Sequence, residues 1–153
     1  MSTVDNVWFF AYGWAMDKSL LKKVVGDCGE PMKALLRGYR LSFDTYSPSW
    51  RGGVASIVED PESIVYGAVY KLSIEQMSKL DNAVGVPSQF ARRKVLVDVE
   101  SIGVVEAVTY VSTSSRGRFV KPSEQYVSVL IKGLRQLGYG EEIIEKVKKM
   151  IRG

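Results

Sequence analysis

The chain has 153 residues and a formal net charge of +4, from 21 basic and 17 acidic side chains. Hydrophobic residues make up 46% of it, which is ordinary for a globular protein, and we expect a single domain over residues 1–153. Histidine is absent and Cys28 is the only cysteine. Histidine-dependent hydrolysis, histidine metal sites and an internal disulfide are therefore excluded.

Nothing in the sequence predicts a membrane segment or a secreted protein. No stretch reaches the ~18–20 apolar residues that cross a bilayer. The opening residues, MSTVDNVWFFAYG, lack the basic region and cleavage site of a secretory signal. We expect a cytoplasmic protein. Its basic residues are scattered, and we interpret the clusters Arg92-Arg93-Lys94 and Arg116-Gly117-Arg118 as solvated surface.

The first half of the chain predicts a buried strand, a short helix and several further strands. The run from Val7 to Tyr12 is apolar at every position, which is typical of a strand buried on both faces. Asp17 is placed to cap a helix that Gly26 ends. Further strands are predicted over 37–44, 54–58 and 65–72, with a loop over 45–53 and a turn at Asp60-Pro61.

The second half changes from strands to helices. Ser73 and Gln76 form a predicted capping box for a helix to about Leu80, and a hairpin is predicted over 95–111. Apolar residues at helical spacing then predict two C-terminal helices, the first capped by Ser123. Together these elements predict an α+β fold: a small mixed β-barrel of about six strands with flanking helices.

Four segments, in this order, resemble the γ-glutamylcyclotransferase-like (AIG2-like) family. Tyr12-Gly13 at the end of the first strand resembles a Tyr-Gly-Ser-Asn loop of that family. The segment Trp50-Arg51-Gly52-Gly53 and the strand that begins at Val65 resemble the central strands of that family. The later segments are Leu80-Asp81 followed by Gly85, and Pro122-Ser123-x-x-Tyr126.

The resemblance implies conversion of a γ-glutamyl amide into 5-oxoproline and a free amine, without metal or cofactor. The substrate's own α-amino group attacks its γ-carbonyl, so catalysis is largely positioning plus proton transfer by a glutamate. The backbone of the strand-end loop would hold the substrate's α-carboxylate. The substrate-binding residues implied are Phe9, Phe10, Ala11, Tyr12, Gly13, Trp14, Ala15 and Tyr126.

The sequence departs from the family at the position of the catalytic glutamate, which is Val84 here. Valine cannot accept a proton, and loss of a general base typically costs about 10²–10⁴ in rate. Trp14 and Ala15 also replace the small polar pair of the loop, and Phe90 stands near a family tyrosine. Asp81 is the weak candidate for a substitute base; Asp44 is another, and both also fit surface or capping roles.

Three functions remain open from the sequence. The first is a small-ligand-binding protein with lost or altered cyclotransferase activity, whose ligand is a γ-glutamyl or other amino-acid-like compound. The second is an active γ-glutamylcyclotransferase that uses a displaced carboxylate such as Asp81. The third, a single-strand nucleic-acid binder, rests on the positive charge and on Trp8, Trp14 and Trp50 and is the least favoured. The amphipathic last helix leaves a homodimer open.

Overall fold

A computed structural model describes residues 5–153. Residues 1–4, which we included in the prediction that the N-terminus is not a secretory signal, lie outside the described part. Its five strands are β1 (Asn6–Ala11), β2 (Met32–Ser47), β3 (Gly52–Ser73), β4 (Phe90–Val99) and β5 (Gly103–Ser112). Its four α-helices are α1 (Lys18–Val25), α2 (Ile74–Val84), α3 (Glu124–Gln136) and α4 (Glu141–Ile151), and a short 3₁₀ turn spans Trp14–Met16.

The strands form a closed barrel in the order β1-β3-β2-β4-β5. Neighbouring strands are antiparallel except at the closure, where β1 lies parallel to β5 and Phe9 pairs with Val108. The contact between β2 and β4 is short, with only Ala34 opposite Val99 and Leu35 opposite Asp98. The predicted mixed barrel with flanking helices is thus confirmed.

The strand count is the one difference from the predicted architecture, and its cause is a bulge. We placed a turn at Asp60-Pro61, but β3 runs through it as one strand. Arg37 pairs with Ile64 and Tyr39 with Glu59, so the single residue Gly38 lies opposite residues 60–63. Gly38 has φ +86°, which suits glycine. Asp60 accepts hydrogen bonds from the Glu62 N–H and the Ser63 hydroxyl, which holds the extra residues in place.

The helix boundaries follow local chemistry that was visible in the sequence. The Asp17 carboxylate accepts the Ser19 N–H at 3.0 Å, and α1 ends before Gly26. Ser73 and Gln76 make both hydrogen bonds of the capping box, and α2 continues four residues beyond the predicted Leu80, to Val84. Gly85, in the left-handed region at φ +93°, then ends the helix. These caps set where Val84 lies.

The core is continuous from the barrel to the helices. Phe10, Tyr70 and Leu72 are fully buried in the strands, and Leu130 and Ile144 are fully buried in α3 and α4. Burial does not alternate along Val7 to Ala11 as it would in a strand with one solvated face, because β1 is covered on both faces. In the described residues no helix has the length and apolar character that crossing a membrane requires.

Candidate functional site

One cavity gathers the residues that the resemblance marked. It offers about 100 Å³ to the centres of water-sized molecules, against the 10–15 Å³ that one water needs, so it can hold a ligand of several heavy atoms. All eight predicted substrate-binding residues line it, as does Val84. The lining residues come from seven segments of the chain: Phe9, Phe10, Ala11, Tyr12, Gly13, Trp14, Ala15, Ser47, Ser49, Trp50, Val54, Ala55, Leu80, Ala83, Val84, Gln89, Phe90, Thr109, Tyr110 and Tyr126.

The turn after β1 lines the cavity and carries backbone donors without an acceptor among the described residues. No acceptor in residues 5–153 takes the amide hydrogens of Gly13, Trp14 or Ala15. A β-carbon on Gly13 would lie 3.0 Å from the Tyr126 hydroxyl oxygen, which is a tight contact. The absence of a side chain therefore lets the tyrosine sit directly over the turn.

Tyr126 supplies a side-chain donor. α3 begins at Glu124 with Ser123 as its cap, and the Ser123 hydroxyl accepts the Tyr126 N–H, which puts the ring in the first turn. The Tyr126 hydroxyl oxygen accepts the Ala55 N–H at 3.0 Å, and no acceptor among the described residues takes its own proton. A hydroxyl that already accepts a hydrogen bond is a better donor, so its proton is available to a ligand.

Tyr12, by contrast, serves the barrel. Its hydroxyl donates to the Tyr110 carbonyl oxygen at 2.7 Å, so this proton is already used within the protein, although Tyr12 lines the cavity. Burial raises the pKa values of Tyr12, Tyr110 and Tyr126 above the ordinary value for tyrosine. All three phenols are therefore neutral at physiological pH.

The Trp50 segment has two roles. The ring of Trp50 lines the cavity and meets the Tyr126 ring edge-on, with centroids 5.2 Å apart. The sequence left open whether Gly52-Gly53 admits a ligand or another backbone, and the structure decides for a backbone. The Gly53 N–H donates to the Lys121 carbonyl at 2.9 Å, and a β-carbon on Gly53 would lie 1.8 Å from the Val120 carbonyl oxygen.

Asp81 lies next to the cavity but does not line it. Arg92 donates to both of its carboxylate oxygens, at 2.9 and 2.7 Å, and the Tyr110 hydroxyl donates to it at 2.6 Å. Partial burial alone would raise the pKa of Asp81, but the hydrogen bonds from Arg92 and Tyr110 outweigh it and hold the pKa below its usual value. Arg92 is exposed, as we expected from the sequence, and it is also the ion-pair partner of Asp81.

The remaining sequence candidates are Asp44 and the three tryptophans. Asp44 does not line it. Trp14 and Trp50 face the cavity, and the Lys71 ammonium lies 4.6 Å from the Trp8 ring centre, so these aromatics do not form an open stacking surface. Among the described residues there is no group of three or more acidic or cysteine side chains placed to hold a metal ion.

Comparison with known proteins now gives the family. A sequence model of the AIG2-like family matches residues 64–147. The chain belongs to the AIG2-like family. It is 30% identical over 122 residues to Gamma-glutamylcyclotransferase of Bos taurus, and 28% identical over 120 residues to that of Mus musculus. These matches cover 76% and 75% of this AIG2-like chain, but it spans only 64% and 63% of the relatives' own lengths.

The solved structures agree with this assignment. A structure titled Gamma-glutamyl cyclotransferase superposes with a TM-score of 0.86 at 25% identity, covering 94% of this chain and 87% of the other. The resemblance drawn from the four motifs is thereby confirmed for family and fold. Sequence reasoning missed Tyr110, Ser47 and Gln89 in the cavity lining, because single residues in strands and loops carry no motif.

Proposed function

We propose that this AIG2-like protein binds a small carboxylate-bearing ligand in the cavity and has lost or altered the cyclotransferase reaction. The observation that carries the proposal is the nature of the wall: Val84 lines it, and none of the lining residues carries a carboxylate. A reaction that must take a proton from a substrate ammonium needs a base within hydrogen-bond reach. The cavity keeps donors for an anion without that base.

The donors support binding of a carboxylate. The amides of Gly13, Trp14 and Ala15 and the hydroxyl of Tyr126 are unused by the described protein and belong to residues around one cavity. Backbone amides bind an anion without needing a particular side chain, so replacing the loop's small polar residues leaves this capacity intact. The rings of Trp14, Trp50 and Phe90 favour a ligand with an apolar body.

A second candidate is the active γ-glutamylcyclotransferase in which Asp81 replaces the glutamate. One contact favours it: the 2.6 Å hydrogen bond joins Asp81 to Tyr110, a lining residue, so a proton could pass from the cavity through the phenol. Two features weigh against it. The pKa of Asp81 is lowered and that of Tyr110 raised, so moving the Tyr110 proton onto Asp81 is uphill.

The test is release of 5-oxoproline from γ-glutamyl dipeptides at high protein concentration, followed by chromatography. We expect no release above the rate without protein. Release by the purified wild type would contradict the loss of activity. If that release disappeared in both Asp81→Asn and Tyr110→Phe, while Asp98→Asn retained it, the relay through Asp81 would replace our proposal.

A further inference from the structure

The cavity treats the two charges of an amino acid differently. Unused hydrogen-bond donors are grouped at Gly13, Trp14, Ala15 and Tyr126, and they suit an anion. No lining residue carries a negative charge, and the phenols are neutral. The Asp81 carboxylate, which is bonded to the lining residue Tyr110, is also held by Arg92.

An ammonium in this cavity would find only neutral partners. The lining offers side-chain acceptors such as Gln89 and Ser47, but their oxygens carry no net charge. The ring of Trp50 packs edge-on against the ring of Tyr126, and both rings are uncharged. Transfer of an ammonium from water into an apolar site is costly unless a carboxylate neutralises it, and hydrogen bonds to neutral oxygens compensate only in part.

We propose that the cavity selects acids with a carboxylate and an uncharged nitrogen, namely lactams and N-acylated amino acids, over zwitterionic amino acids. This inference rests on the proposed binding function and adds the charge class of the ligand. Val84 is the specificity-determining residue in it, because it is an aliphatic group in the wall beside Leu80 and Ala83 at the end of α2. A lactam N–H or acyl group loses far less hydration on burial than an ammonium does.

The experiment compares two ligands that share a five-membered ring and a carboxylate. L-5-oxoproline has a neutral lactam nitrogen, whereas L-proline is a zwitterion at pH 7. Calorimetry with the full chain should give about 10- to 100-fold tighter binding of 5-oxoproline, the ratio expected for one buried polar group left without its partner. Equal affinities, or tighter binding of proline, would overturn the inference and leave the binding proposal standing.

The failure of the underlying proposal has a different signature. If neither ligand binds at millimolar concentration, while the protein shows a cooperative thermal transition, both the binding proposal and the inference are wrong. Tyr126→Phe removes the hydroxyl donor at the cavity and should weaken 5-oxoproline binding. Unchanged affinity in this variant would contradict the role of the Tyr126 hydroxyl as a donor to the ligand. The ratio of the affinities for 5-oxoproline and proline tests the charge preference separately.

Val84→Glu tests the specificity role directly. A glutamate at this half-buried position adds a carboxylate to the wall, so the preference should fall by at least about tenfold toward proline. Val84→Gln is the matched control, with the same length and polarity but no charge, and it should keep the wild-type preference for 5-oxoproline. If both variants changed the ratio equally, bulk rather than charge would set it, and the inference would fail.

Discussion

At the scale of single residues, Asp81 shows how one carboxylate can be withdrawn from chemistry. It sits in α2 three residues before Val84, close enough to the cavity to be considered a base. The guanidinium of Arg92 and the hydroxyl of Tyr110 occupy its oxygens. Its role in the described structure is to join α2 to β4 and β5.

This bonding predicts a pH dependence of stability. The native pKa of Asp81 lies below the unfolded value of about 3.9. The stabilisation that the ionised Asp81 carboxylate gives the folded state is therefore present in full above about pH 4, and it is lost as the pH falls through the native pKa. Asp81→Asn should lower the free energy of unfolding at pH 7 by roughly 1 kcal/mol and flatten its fall in acid, measured by urea denaturation between pH 7 and 2.5.

Asp98→Asn is the control for this prediction. Asp98 pairs with Arg37 at 3.8 Å on the exposed outer surface, where an ion pair contributes little. At pH 7 this variant should unfold within about 0.5 kcal/mol of the wild type. A loss as large as that of Asp81→Asn would show that the network with Tyr110 has no special contribution.

At the scale of elements, α2 places the wall of the cavity because its ends are defined by caps. The Ser73 hydroxyl accepts the Gln76 N–H at 3.1 Å, and the Gln76 side chain accepts the Ser73 N–H at 2.9 Å. Gln76 also donates to the Asp27 carbonyl at 2.7 Å, which ties the start of α2 to the segment after α1. The cap therefore orients the whole helix, including Val84 at its other end.

Ser73→Ala should lower the free energy of unfolding by about 1 kcal/mol, because the first turn loses a hydrogen-bond acceptor. Thermal melting followed by circular dichroism measures it. Ser78→Ala, at an exposed position within the same helix, should be neutral or stabilise by a few tenths of a kcal/mol, since alanine is the better helix former there. Equal losses in both variants would count against the capping box.

At the scale of the whole molecule, the segment between β5 and α3 is what brings Tyr126 to the cavity. It lies along the β2–β3 hairpin, with the Val120 N–H donating to the Phe43 carbonyl and the Gly53 N–H donating to the Lys121 carbonyl. α3 then starts with its first turn at the cavity. The position of one hydroxyl thus depends on backbone contacts between distant parts of the chain.

Gly53→Ala should disrupt this packing, because the new methyl group would overlap the Val120 carbonyl oxygen at 1.8 Å. Backbone cannot move aside as a flexible side chain can, so we expect a loss of about 3 kcal/mol in the free energy of unfolding by urea. Gly29→Ala is the matched control, since its β-carbon would meet nothing within 4 Å. A Gly53→Ala protein as stable as Gly29→Ala would contradict the packing.

Some predictions remain as predictions at this scale. The single domain over residues 1–153, the cytoplasmic location and the homodimer are among them. The substrate-binding roles of the eight residues are also still proposals, although all eight line one cavity.

The elements that have local signals could be predicted from the amino-acid sequence alone. Asp17, Ser73 and Ser123 cap their helices by bonding to amides two or three residues away, and a short stretch of chain contains all of that information. The prediction that Val84 stands at the position of the family's glutamate also came from a local signal, because the surrounding Leu80-Asp81 and Gly85 resemble the family without a gap, and it stays a prediction.

Contacts between residues that are distant in the sequence could not be predicted, because they arise from the tertiary fold. The bulge opposite Gly38 turns an apparent break at Asp60-Pro61 into one continuous strand, because pairing with β2 overrides the local turn preference. Arg92 and Tyr110 reach Asp81 from β4 and β5, and Tyr126 reaches Gly13 from α3. These contacts depend on the tertiary fold, which brings together residues as far apart in the sequence as Gly13 and Tyr126, and no local pattern encodes their partners.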